Sequence, residues 1–138
     1  MFLLDTHVWI WHVEGNTHRV GARTARLLRR WTDQDALRIS PLTVFEVAML
    51  YTTDRVSLTR TLDQWTTTAL QDGGVRLAPL TIEAALEAGR MGTGRVPDPL
   101  DRLLIATARQ TDATFVTADR RILDYATTAG LRVHDARR

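Results

Sequence analysis

Phe2-Leu3-Leu4-Asp5 is a short apolar run that stops at a carboxylate, and Thr114-Phe115-Val116-Thr117-Ala118-Asp119 repeats the pattern far along the chain. Each reads as a short buried strand with an acidic residue at or just past its end. Between them the segments alternate in type. Val8–His12 is aromatic and opens a short helix, and Asn16–Gly21 is a break. A helix follows over Ala22–Thr32, then a strand over Leu37–Ile39. Ser40-Pro41 is a strong helix start, with Ser as cap and Pro in the first turn, and that helix runs to about Tyr51. Ser57–Leu70 reads as a helix closed by Gly73-Gly74, Val75–Leu77 as a strand, and Thr81 as a further helix start. Gly89–Pro97 is a loop, and Asp98-Pro99 opens a helix to about Gln110. After Thr114–Val116 come a helix over Arg120–Thr128 and a fifth strand at Leu131–Val133. Strands separated by helices call for right-handed crossovers, hence a parallel sheet covered on both faces. The expected fold is α/β, a three-layer α/β/α sandwich forming one domain over residues 1–138. Ligands of such sheets sit beyond the carboxyl ends of the strands.

Composition narrows the chemistry. The 138 residues contain no cysteine, which removes disulfides, thiolate metal sites and thiol nucleophiles and fits a reducing compartment. All eighteen basic residues are Arg. Without lysine there is no P-loop and no Schiff base, and a phospho-receiver site loses its usual lysine. The net charge of +2 gives only weak attraction to nucleic acid by itself. No stretch approaches the roughly 20 apolar residues of a membrane span, and Met1–Asp5 is too short and lacks the basic residues of a secretory signal. A cytoplasmic protein with no membrane contact is expected.

The strand-end carboxylates are the first candidates for a site. Asp5 and Asp119 occupy the right ends, although each can also serve as a helix N-cap. Glu46 is placed by helical spacing on the face of Leu42, Met49 and Leu50, where an ionised carboxylate needs a partner or a metal, or else sits at the edge of the stripe paired with an Arg. Asp101 aligns with Leu104, Ile105 and Ala108 and points to the core side of its helix, at the dipole's positive end. Asp98 is an N-cap or an outer member of the site, and can pair with Arg102 four residues on. Four carboxylates in one place repel unless a positive charge joins them. A divalent cation resolves this more fully than an Arg, and oxygen-only ligands suit Mg²⁺ or Mn²⁺ rather than zinc.

Four segments carry a likeness to a known family: Leu3-Leu4-Asp5-Thr6-His7-Val8-Trp9, Ser40-Pro41-Leu42-Thr43-Val44-Phe45-Glu46, Asp98-Pro99-Leu100-Asp101-Arg102-Leu103-Leu104-Ile105-Ala106-Thr107-Ala108, and Phe115-Val116-Thr117-Ala118-Asp119. In order and separation they resemble the PIN-domain family, specifically the VapC-type toxin ribonucleases of toxin–antitoxin pairs. The resemblance implies metal-dependent cleavage of single-stranded or loop RNA. It implies that Asp5, Glu46 and Asp101 hold the main metal and that Asp119 completes the acidic site through water or a second ion. Thr6 and Thr117 would orient carboxylates or water, Thr117 alternatively being a helix-start hydroxyl. A small antitoxin partner and a homodimer are also implied.

Other residues have plainer expectations. His7, His12, His18 and His134 show no ligand spacing, and His7, beside Asp5, reads as structural, the alternative being contact with substrate. Trp9, Trp11, Trp31 and Trp65 read as core or interface packing rather than base-stacking platforms. Arg23, Arg26 and Arg30 form a stripe that is either a solvated face or a set of RNA phosphate contacts, and Gly92-Thr93-Gly94-Arg95 reads as a mobile flap. The alternative to an endoribonuclease is a PIN-like module that holds RNA or an antitoxin without cutting. A dehalogenase-type phosphatase is disfavoured because Asp5-Thr6-His7 lacks its second aspartate.

Overall fold

The computed structural model describes residues 1–138. Its strands are β1 (Phe2–Leu4), β2 (Leu37–Ile39), β3 (Val75–Leu77), β4 (Thr114–Thr117) and β5 (Val133–Asp135). All four pairings are parallel, and the order across the sheet is β3-β2-β1-β4-β5. The helices are α1 (Thr6–Val13), α2 (Ala22–Asp33), α3 (Pro41–Thr52), α4 (Leu62–Asp72), α5 (Ile82–Arg90), α6 (Pro99–Gln110) and α7 (Arg120–Ala129).

Strand alternation sorts the core into two layers. Leu4 and Val116 face a cluster built with Trp9, Leu28, Val47 and Trp65, from α1 to α4. Leu3 and Phe115 face the opposite way, onto Leu104, Ile105, Ala108 and Ile122 of α6 and α7. Helix α5 lies outside this layer and packs Ala84 and Ala88 on Ala106 of α6. The small side chains let the two helices approach closely. Trp9 and Trp65 meet edge to face at 4.9 Å, a geometry that adds about 0.5–1.5 kcal/mol beyond the apolar area buried.

The expected α/β/α sandwich is met, with shifts at element ends. Helix α1 starts at Thr6 rather than Val8, because the Asp5 carboxylate caps it. Helix α4 starts at Leu62 rather than Ser57, because Thr61 is its cap and accepts from the Gln64 N–H. Strand β5 is Val133–Asp135 rather than Leu131–Val133. Leu131 is buried, but as a side chain plugging the α6/α7 layer just before the strand.

The strand order reverses direction at β1. Strand β2 lies on one side of it and β4 on the other, so the first two crossovers build one side of the sheet and the last two the other. A crevice opens beyond the carboxyl ends of strands at such a point. Asp5 and the Thr117–Asp119 turn border it.

Candidate active site

Asp5 is the last residue to pair in the sheet, its N–H donating to the Val116 carbonyl at 2.9 Å. One side-chain oxygen then accepts from the Thr6 N–H at 2.8 Å, and the other from the Thr117 hydroxyl at 2.6 Å. Capping and site formation are therefore combined in one carboxylate. Thr6 is fully buried, and its hydroxyl donates to Glu46 Oε2 at 2.5 Å. Thr117, also fully buried, accepts the Asp119 N–H at 3.0 Å while donating to Asp5. Its two expected roles, helix-start hydroxyl and orienting group, coexist. Asp119 caps α7 through the Arg121 N–H, and Asp98 caps α6 through the Leu100 N–H, each at 2.8 Å.

Glu46 reaches the site from a different face than its spacing predicts. Helix α3 buries Thr43, Val47 and Leu50. Met49 is exposed, Leu42 is only half-buried, and Glu46 lies at the stripe's border. Its partner is the Thr6 hydroxyl, not an Arg. The Asp98–Arg102 side-chain pair is also not formed, because Arg102 donates to the Gly92 carbonyl at 2.9 Å. The Gly92–Arg95 loop is correspondingly tied down. Arg95 bonds the Thr128 hydroxyl and the Asp124 carbonyl and lies over the Tyr125 ring.

Asp5, Glu46, Asp98, Asp101 and Asp119 line one cleft of about 380 Å³. None of them takes part in any of the chain's four ion pairs. Two larger hollows exist, about 520 Å³ against α5 and about 560 Å³ against α4, but neither gathers unpaired charge of one sign. Burial, then repulsion from Asp5, Asp98, Glu46 and Asp119, pushes the Asp101 carboxyl up to about 7. Burial also raises Asp5, opposed by its hydrogen bonds from Thr117 and Thr6. Glu46, Asp98 and Asp119 each keep one oxygen free of hydrogen bonds, and Asp101 keeps both. The carboxylate set is crowded, offers oxygen ligands alone and makes no ion pair, which fits a hard divalent cation. As placed, no three of these side chains already form a ligating cluster. They border a shared cleft rather than a closed cage.

Four further residues line the cleft: His7, Trp11, Ala118 and Arg137. The His7 side chain is exposed and makes no hydrogen bond within the chain. Trp11 is half-buried at the rim, whereas Trp9, Trp31 and Trp65 are core as expected. Arg137 carries no sequence signal; only the turn after β5 brings it to the site. The Arg23, Arg26 and Arg30 stripe is exposed along α2, away from the cleft lining.

A sequence model of the PIN domain matches residues 2–127. The chain belongs to the PIN domain family. Ribonuclease VapC22 of Mycobacterium tuberculosis (strain ATCC 25618 / H37Rv) is 28% identical over 120 residues, covering 87% of this chain and 88% of that protein. The crystal structure of VapBC2 from Rickettsia felis, bound to a promoter DNA fragment, matches with a TM-score of 0.70 at 15% identity over 97% of each chain. DNA-bound VapBC from Salmonella typhimurium matches at 0.64 and 20% identity, over 97% of this chain and 96% of that one. The structural matches bear on the fold, and the sequence matches carry the family. PIN-domain enzymes are metal-dependent nucleases, so the nuclease class expected from the four motifs is met. No helix is long and apolar enough to cross a membrane.

Proposed function

We propose that this chain is the toxin of a toxin–antitoxin pair, a cytoplasmic, single-domain endoribonuclease that hydrolyses phosphodiesters of single-stranded or looped RNA. The observation that carries the reading is the cleft of five carboxylates with no ion pair, whose burial and crowding push the Asp101 carboxyl upward. In this proposal Asp5, Glu46 and Asp101 hold Mg²⁺ or Mn²⁺, and Asp119 completes the acidic set, with Thr6, Asp98 and Thr117 around them. Such an ion, when bound, stabilises charge on phosphoryl oxygens and activates water.

The chain's own residues do the positioning. Thr117 fixes one oxygen of Asp5 and the turn to Asp119, and Thr6 fixes Glu46. These hydroxyls hold the carboxylates in place before substrate arrives, which limits the reorganisation the reaction requires. An antitoxin and a second copy of the chain complete the proposal. Phe45 on α3 and Ile82 and Leu86 on α5 are large apolar side chains left exposed in a single chain, the kind of surface such partners bury.

The test is cleavage of defined single-stranded RNAs by the purified chain with Mg²⁺, Mn²⁺ or chelator. Cleavage that needs the cation and is lost in a folded Asp5→Asn chain is the expected result. RNA binding that survives chelation with no turnover under any condition identifies the non-cleaving module instead.

A further inference from the structure

Besides Ala118, three side chains of the cleft take no part in its acidic set, and together they have a chemistry of their own. Arg137 lines a cleft with five carboxylates, yet its guanidinium makes no ion pair and no hydrogen bond within the chain. Its backbone is held firmly. The Arg137 N–H donates to Asp135 Oδ1 at 3.0 Å, and the Arg138 N–H to the Asp135 carbonyl at 3.2 Å. From α2, the Thr24 N–H donates to the Arg138 carbonyl at 2.8 Å and the Gly21 N–H to the Ala136 carbonyl at 2.9 Å. The approach is so close that a Cβ on Gly21 would lie 2.0 Å from the Arg138 carbonyl carbon and 2.3 Å from the Arg137 oxygen. A fixed backbone thus presents an unpartnered guanidinium, whose planar fork matches two oxygens of a phosphate.

The aromatic side of the cleft is set by α1. His7 and Trp11 stand one helical turn apart, with ring centroids 6.0 Å apart and planes inclined by 50°. Trp11 packs its inner side on the core, and His7 is exposed. Because α1 starts immediately after Asp5, the backbone carrying these rings is placed directly beside the acidic centre. The alternative basic surfaces lack this combination. Arg60, in the hollow against α4, is tied to the Thr68 hydroxyl at 3.0 Å with no aromatic neighbour in that hollow. The α2 arginines are spread along a solvated face.

Resting on the nuclease reading above, we propose that this non-acidic side of the cleft is a nucleotide subsite for single-stranded RNA, with Arg137 on a backbone phosphate and the His7–Trp11 pair stacking the adjoining base. Stacking on aromatic faces tolerates any base, so the subsite supplies grip and register rather than a strict sequence code.

The experiment follows cleavage of a short fluorogenic RNA with Mg²⁺, together with binding of the same RNA to an Asp101→Asn chain at several salt concentrations. Arg137→Gln is expected to raise KM roughly tenfold, as loss of a charge-assisted contact does, and to lower the salt slope by about 0.7, the value for one single-strand phosphate. Arg137→Lys is expected to restore the slope and only part of the KM, because it keeps the charge and loses the fork. His7→Ala is expected to raise KM about fivefold with kcat unchanged, the low end for one stacked base. An RNA made abasic at successive positions sharpens this. At one position the abasic RNA should bind as weakly as intact RNA binds His7→Ala, and the two changes together should add nothing further. A general structural defect would not produce that position-specific saturation. Wild-type KM and salt slope in both Arg137→Gln and His7→Ala overturn the subsite. Failure of the wild-type chain to bind or cut any RNA overturns the nuclease reading itself.

Discussion

At the end of α6, Arg109 donates to Glu87 Oε1 at 2.9 Å, to the Ala129 carbonyl at 2.7 Å and to the Tyr125 hydroxyl at 3.2 Å. Gln110 takes the other Glu87 oxygen at 3.0 Å. Every charge there is matched, and α5, α6 and α7 are joined by the match. At the start of the same helix the Asp101 side chain has no basic partner in the chain and no hydrogen bond, and four other carboxylates face the same cleft. Both charges suit the helix dipole, Asp101 in the first turn and Arg109 in the last. The dipole therefore does not distinguish them. The difference is that one end answers its charge from within the chain and the other does not.

Substitutions should separate the two ends. The largest effect is expected from Asp101→Asn, which should lower RNA cleavage by about 10³-fold, or ~4 kcal/mol of transition-state stabilisation. Its melting temperature should stay level or rise, because crowding is relieved. A large fall in melting temperature with activity retained would make Asp101 the structural end. Next comes Thr117→Val, which removes the hydroxyl shared by Asp5 and the Asp119 N–H. Activity should fall about 10- to 100-fold, as for other groups that orient ligands, and Thr117→Ser should recover most of it. Glu87→Ala should do the reverse, costing about 1–2 kcal/mol of stability for a partly exposed pair while cleavage per folded molecule is unchanged. Urea unfolding beside a turnover assay reads all three.

The smallest effect is in pH. Asp101 holds its proton more tightly folded than unfolded. In the metal-free chain its contribution to stability is therefore complete below the ordinary carboxylate range near 4 and is lost as pH climbs through about 7. Asp5, also raised, acts in the same direction. The melting temperature of chelator-treated protein should rise between pH 8 and pH 6, and saturating Mg²⁺ should reverse that trend by favouring the ionised form. The same trend with and without cation would detach Asp101 from metal binding.

Much of this arrangement was readable in the residues. An apolar run ending in Asp marks a strand end, and the parallel sheet follows from the alternation of strands and helices. Those two inferences together bring Asp5 and Asp119 to one crevice. Asp101 was legible from its alignment with Leu104, Ile105 and Ala108. Glu46 was found for a reason only half right, since spacing gives the faces of a helix but not which face the sheet covers. Helical spacing allows an Asp98–Arg102 pair, but Arg102 goes instead to the Gly92 carbonyl, ten residues away in sequence, and Asp98 serves as the N-cap. Arg137 was illegible because its position depends on Gly21 accepting a backbone from the far end of the chain. His7 and Trp11 were visible as aromatics, but what separates a rim from a core is the depth at which α1 sits.

The order of the sheet also sets how the parts of the cleft can move. Strand β1 is flanked on both sides, and β4 lies between it and β5, so the backbone carrying Asp5 and Thr117 is interior. Fraying begins at unflanked margins, and β5 is one of them. The arm that bears Arg137 hangs from that margin. The hydrogen bonds from Gly21 and Thr24 anchor that arm where the sheet itself offers no second neighbour, while the carboxylates that must keep their spacing are suspended from strands flanked on both sides.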